Sequence, residues 1–176
     1  MDSPERIVNK VAESSLINID LEEFYPKEEK AVFDLKDYLF KGLVLKEKDF
    51  REALKQLDWS HYKGKNVAVT CTADAIVPMW AYMLVGVYLS QVANHYIFGN
   101  EKELDDFLFN SAINKIDIEQ YRDQRIIIKG CSDKPVPTSA FVEIIRRLTP
   151  VAKSLMYGEA CSNVPLFKKN KVVENH

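Results

Sequence analysis

Arg125-Ile-Ile-Ile-Lys-Gly-Cys-Ser-Asp-Lys-Pro-Val-Pro137 reads as a buried strand, a cysteine-bearing turn and the first residue of a helix. Three consecutive isoleucines suit a central parallel strand covered on both faces. A proline suits the first helical position, where its fixed φ is already helical and no N–H is lost. Moved back by 59 residues, the stretch falls without a gap on Asn66-Val-Ala-Val-Thr-Cys-Thr-Ala-Asp-Ala-Ile-Val-Pro78. From Leu45/Leu104 to Gly99/Gly158 the two copies share 13 identities in 55 paired positions, among them Phe50/Phe109, Asp58/Asp117, Tyr62/Tyr121, Asp74/Asp133 and Pro78/Pro137. Core-type residues pair with core-type residues throughout, as an internal duplication requires.

The pattern extends on both sides. Phe50, Ala53, Leu54 and Leu57 recur at the spacing of an apolar helix stripe, and Leu104, Phe107, Leu108, Ala112 and Ile113 mark a second amphipathic helix. Residues 66–70 and 125–129 read as strands. Residues 78–92 and 137–148 read as helices, the latter with Ala140, Phe141, Ile144, Ile145 and Leu148 inward. Short strands at 96–98 and 155–157 run up to Gly99 and Gly158. Upstream, residues 16–21, 31–35 and 42–45 are strand candidates, and residues 4–12 form a short helix with Ile7, Val8 and Val11 on one side. The polar tail, 168–176, is expected to fray.

Alternating strands and helices with short connections predict an α/β fold. It is a layered sandwich with a mostly parallel sheet, built from an internal β-α-β-α duplication plus an N-terminal β extension. The expectation is one domain over 1–176, with repeats at 45–99 and 104–158 and an extension at 1–44.

Composition is that of a globular chain of 176 residues, 47% hydrophobic and 28% charged. With a net charge of −2 and a pI near 6.0, it has no basic field to hold nucleic acid or an anionic membrane surface. The longest apolar run, Ala75 to Leu89, is 15 residues, short of the roughly 20 that span a bilayer. The opening Met1-Asp-Ser-Pro-Glu-Arg6 lacks the apolar core of an export signal. An odd number of cysteines, three, argues against a disulfide framework. A cytoplasmic location is expected.

The two repeated helices differ. Arg146 and Arg147 give the second a solvent face, whereas the first carries Met79, Trp80, Met83, Val87 and Tyr88 around most of its circumference. A helix apolar all round must be covered on more than one side. Either the N-terminal segment covers it, or helix 78–92 is a homodimer interface rich in aromatic residues and methionine.

Cys71, Cys131 and Cys161 occupy related places. Cys71 and Cys131 follow the duplicated strands, and Cys161-Ser-Asn-Val-Pro165 echoes Cys131-Ser-Asp-Lys-Pro135. The carboxyl ends of parallel strands lie on one edge, where α/β folds form their ligand crevice. Three thiolates converging there make a soft site for zinc or an iron–sulfur cluster, and helix N-termini at Pro78 and Pro137 favour the thiolate form. Asp74, Asp133, Glu159 and His61 are candidates for a fourth ligand, although Asp74 and Asp133 also suit turn or capping roles. No C-x-x-C pair supplies a local metal nucleus, and three cysteines can also simply pack. A phosphatase loop is excluded, because the position six residues after the cysteine, where arginine would bind phosphate, holds Val77 or Pro137. A sulfur-carrier role for Cys131 stays open. Lys129, Lys134, Lys153 and Arg125 put positive charge near the second turn, most simply a solvated rim.

The segments Thr70-Cys-Thr-Ala-Asp-Ala-Ile-Val-Pro-Met-Trp-Ala-Tyr82, Lys129-Gly-Cys-Ser-Asp-Lys-Pro-Val-Pro137 and Ala152-Lys-Ser-Leu-Met-Tyr-Gly-Glu-Ala-Cys-Ser-Asn-Val-Pro-Leu166 resemble a bacterial domain of unknown function, family 2480. The resemblance covers nearly everything from Ile7 to Lys168. It implies a cytoplasmic protein with no established activity, associated with iron–sulfur cluster assembly, and it supplies no catalytic residues. The first functional expectation is therefore a non-enzymatic accessory factor of iron–sulfur or metal handling, with Cys71, Cys131 and Cys161 as ligands and assembly proteins as partners. The alternatives are a sulfur-transfer or thiol-redox protein using Cys131, and an interaction module dimerising through helix 78–92.

Overall fold

The computed structural model describes residues 16–130 and 133–169. The helix expected at 4–12, the last seven residues, and Cys131 with Ser132 lie outside the described residues. The strands are β1 (Leu16–Asp20), β2 (Lys30–Asp34), β3 (Leu39–Phe40), β4 (Val44–Leu45), β5 (Asn66–Thr70), β6 (His95–Phe98), β7 (Arg125–Lys129), β8 (Ser154–Glu159) and β9 (Ser162–Lys168). The α-helices are α1 (Glu47–Gln56), α2 (Met79–Leu89), α3 (Glu101–Asn114) and α4 (Thr138–Leu148). None is long and apolar enough to cross a membrane.

The 59-residue offset reappears element by element. The pairs β5/β7, α2/α4 and β6/β8, and the 3₁₀ turns Trp59–Tyr62 and Ile118–Tyr121, all sit one offset apart. The shared residues are those whose geometry is demanding. Asp58 and Asp117 each cap a 3₁₀ turn by accepting a backbone N–H two residues on, at 3.0 Å. Pro78 and Pro137 are the N-caps of α2 and α4, one position earlier than expected. Gly99 and Gly158 have φ of 147° and 118°, a region that side chains rarely adopt. Gly64 and its counterpart Asp123 are both left-handed, at 70° and 56°.

The N-terminal extension holds a second, shorter duplication. β1 runs into the 3₁₀ turn Leu21–Phe24, and β2 into Leu35–Tyr38. Asp20 and Asp34 cap these turns, each accepting at 3.0 Å from Glu22 N–H and Lys36 N–H respectively. The next residue, Leu21 or Leu35, is wholly buried. β1 pairs in parallel with β7, Leu16 opposite Arg125, and β2 with β5, Lys30 opposite Asn66. Allowing for the offset, these registers are the same. The first arm therefore serves the second repeat, and the second arm serves the first.

A mixed α/β architecture with mostly parallel sheets results, as expected. The strands are divided between two sheets, however, because each repeat recruits its own arm. One sheet has the order β1-β7-β8-β9 and the other β2-β5-β6; β3 and β4 form a separate hairpin. The chain divides accordingly into two compact units, a contiguous one, Pro26–Phe109, and a flanking one made of Met1–Tyr25 with Asn110–His176.

In the contiguous unit Val67 and Val69 face a core with Phe33, Leu35, Phe50, Leu54, Ala81, Val85 and Leu89. Ala68 points the other way, against Leu104 and Leu108 of α3. Alternation along β5 thus buries both faces. In the flanking unit Ile126, Ile127 and Ile128 are all buried, as the isoleucine run predicts. β9 was not legible as a strand. It is antiparallel to β8, and it carries Pro165, which is tolerated because β9 is an edge strand and the β8–β9 register shifts there.

Candidate functional site

Helix α2 has four sides, and three are covered. Ala81, Val85 and Leu89 are buried in the core. On one flank Trp80 packs edge-on against Phe50, with ring centroids 6.0 Å apart, and the Arg51 guanidinium lies over it at 5.5 Å. Further along the same flank Tyr88 stacks on Trp59 at 4.8 Å, and Trp59 stacks in turn on Phe33, while Tyr82 and Gly86 on the opposite flank meet β6. The covering elements are thus α1, the sheet and the 3₁₀ turn Trp59–Tyr62. That leaves Met79, Met83 and Val87, spaced i, i+4, i+8, on a fourth side that no element among the described residues covers.

This stripe does not stand alone. Tyr82 meets Phe98 of β6 edge-on at 5.0 Å. Gly86 admits the Tyr96 ring, which lies 3.4 Å from where a Cβ would sit. Between α2 and β6 these side chains border a groove of about 520 Å³, lined with Met83, Val87 and Ser90 and, among the described residues, by no charged side chain. Phe98 and Met83 are each 71% exposed. Burial pushes the Tyr82 hydroxyl above its ordinary pKa, with Cys71 and Asp34 adding to the effect.

The second repeat has the same groove, differently finished. Phe141 meets Tyr157 edge-on at 5.9 Å, the counterpart of Tyr82 and Phe98. There Val164 and Leu166 of β9 close the space over Phe141 and Ile145, leaving about 300 Å³. The positions equivalent to Met79, Met83 and Val87 hold Thr138, Val142 and Arg146, and the exposed Arg146 pairs with the more covered Glu143. The fold therefore does not require an apolar stripe at this place.

The turn after β5 is held from β2. Asp34 accepts from Thr72 N–H at 3.0 Å and from Thr72 Oγ1 at 2.6 Å, besides capping Lys36. Burial works against the charged carboxylate, yet the hydrogen bonds from Thr72 and Lys36 win and hold Asp34 below its ordinary pKa. Cys71 sits in this turn, half-buried, its thiol donating to the Ala73 carbonyl at 3.7 Å. Beyond it Ile76 is nearly fully exposed.

Cys71 follows a strand of the three-stranded sheet, whereas Cys161 is exposed in the β8–β9 turn of the four-stranded one. The two belong to different units, and Cys131 lies outside the described residues. Among the described residues no group of three His, Cys, Asp or Glu side chains is arranged to hold a metal ion. Of the other candidate ligands, Asp133 donates its backbone N–H to the Glu22 carboxylate at 3.1 Å. Glu159 lies 3.8 Å from Lys129, and the His61 ring stands edge-on to Tyr62 at 5.1 Å. Asp74 lies in the bend before α2. In the positive rim, Lys129 pairs with Asp20 at 3.4 Å and Lys134 lies over the Tyr25 ring at 5.6 Å.

A family described as a protein of unknown function, DUF2480, matches residues 5–169. The chain belongs to that family. No curated protein and no solved structure matches it. The family match spans both arms and both repeats, so the α2–β6 groove and all three cysteines lie inside it.

Proposed function

We propose that the chain is a non-enzymatic interaction module that pairs with a second copy of itself through the groove between α2 and β6. The bare stripe Met79, Met83 and Val87 supports this most directly. It is contiguous with Tyr96 and Phe98, and the duplicate helix carries Thr138, Val142 and Arg146 at the same positions. Burying a large apolar side chain contributes about 1.5–3 kcal/mol. In a two-fold pairing each such residue counts twice, because both copies present the same patch. Methionine and aromatic side chains are enriched, and charge depleted, at the centres of protein interfaces.

Light scattering and sedimentation equilibrium test the proposal. The wild-type chain is expected to be dimeric, and Met83→Glu monomeric with an unchanged circular dichroism spectrum, since position 83 is exposed within its own chain. A wild-type chain that stays monomeric at high protein concentration defeats the proposal, as does a Met83→Glu variant that dimerises as tightly as the wild type.

A further inference from the structure

β6 is an outer strand of the three-stranded sheet, and the duplicate edge shows what belongs beside it. Along β8 the chain lays β9 antiparallel, with Tyr157 opposite Val164 and Leu155 opposite Phe167. Under that cover Tyr157 is 40% exposed, while its counterpart Phe98 is 71% exposed. The repeat's own solution for this edge is an antiparallel strand that lays apolar side chains into the groove. Among the described residues no strand does this for β6. β6 has the required pattern itself: in His95-Tyr-Ile-Phe98, Tyr96 and Phe98 fall on the α2 side and Ile97 on the α3 side.

We infer that β6 pairs antiparallel with β6 of a second copy about a two-fold axis, joining two three-stranded sheets into one of six strands; this rests on the self-association proposed above. Directly opposed residues of an antiparallel pair share a face. An axis normal to the sheet through Ile97 sets each Tyr96 opposite Phe98 of the second copy, on the side that carries Met83 and Val87. A slip by one residue would oppose Tyr96 to Ile97 and break that match of faces. The pairing also removes two exposed edge strands at once. A different protein's extended apolar segment would fit the same edge, and the test separates the two occupants.

The experiment uses the full chain. In an Ile97→Cys variant the two introduced thiols face each other across the axis, with Cα atoms about 4.5–5.5 Å apart, within disulfide reach. Mild oxidation is expected to give a covalent dimer whose 97–97 linkage is found by peptide mapping, and adding Met83→Glu should abolish it. Because truncating Ile97 disturbs its packing on Ala68, Leu104 and Leu108, amide hydrogen exchange on the wild type gives an independent measure. Amides 95–98 should exchange more slowly in the wild-type dimer than in the Met83→Glu monomer. A dimer with neither the linkage nor that protection overturns the strand pairing and leaves self-association standing. A wild-type monomer overturns both, and leaves the edge to a different protein's segment.

Discussion

Asp34→Ala is the perturbation whose cost the structure defines best. The carboxylate accepts from Lys36 N–H, Thr72 N–H and Thr72 Oγ1, pairs with the half-exposed Lys36 ammonium at 3.3 Å, and its side chain is only 11% exposed. Losing a capping side chain costs about 1 kcal/mol. Removing the acceptor of a charge-assisted bond costs about 1.5–3 kcal/mol, shared here between the two Thr72 donors, one of which regains water. The expected loss is therefore roughly 2–4 kcal/mol, a large part of the stability of a small unit. Thr72→Val, which removes only the Oγ1 bond, should cost about 1 kcal/mol.

Urea unfolding followed by tryptophan fluorescence reads this locally. Both tryptophans, Trp59 and Trp80, lie in the contiguous unit, and Trp59 stacks on Phe33 beside Asp34. The sign of the pH dependence follows from the lowered pKa. A carboxyl held below its unfolded value of 3.8 adds stability that is complete above that pH and is lost as pH falls through the folded value. The gap between wild type and Asp34→Ala should thus be constant at neutral pH and narrow below about pH 4. An Asp34→Ala variant within about 0.5 kcal/mol of wild type, or a gap that widens on acidification, refutes the assignment.

Burial raises the pKa of Tyr38, Tyr62, Tyr82 and Tyr121 among the eight tyrosines. Absorbance titration should show a class ionising above pH 10, and stability should fall as pH rises from 10 toward those values, because the unfolded chain gives up these protons first. Gly158→Ala places a Cβ 2.6 Å from the Ser162 carbonyl oxygen at a φ of 118°. It should cost about 1–3 kcal/mol and speed amide exchange across β9, with unchanged exchange counting against the strain. Arg147 donates to the Ile113 and Ile116 carbonyls at the end of α3, at 2.6 and 3.0 Å. Arg147→Met should cost about 1.5–3 kcal/mol by urea titration, and a neutral effect would show that water replaces it. The shared thiolate site, an expectation carried by the sequence, has its own measurement: anaerobic reconstitution with iron and sulfide. Near-stoichiometric iron with visible absorbance supports it, and a colourless, zinc-free protein removes it.

The repeat was legible because its identities fall where geometry leaves little choice. Pro78 and Pro137 open helices, Gly99 and Gly158 occupy a left-handed region, and Asp58 and Asp117 cap turns. The apolar circumference of α2 was equally plain, but which side stays bare depends on where Phe50 and Trp59 land, and that is tertiary information. The arms were not legible as duplicates, since across Leu16–Phe24 and Lys30–Tyr38 only the Asp-Leu pair is identical, with Phe24 falling in line with Tyr38. The sequence suggested one sheet, whereas two arms make two, and Cys71 and Cys161 each follow a strand of a different one.

The crossed assignment of the arms has a consequence during synthesis. β2 meets β5 as soon as 36 further residues have been made, but β1 must wait 109, from Leu16 to Arg125. At about 5–20 residues per second, that leaves β1 without its mate for roughly 5–20 s after it leaves the ribosome. Meanwhile β5 is available first, and β1 runs into its turn through the same Asp-Leu as the strand meant to dock there. Short-loop closure favours β2 in that contest, because the entropic penalty rises with loop length. The nascent chain thus completes the contiguous unit before the flanking one can take up its own first strand.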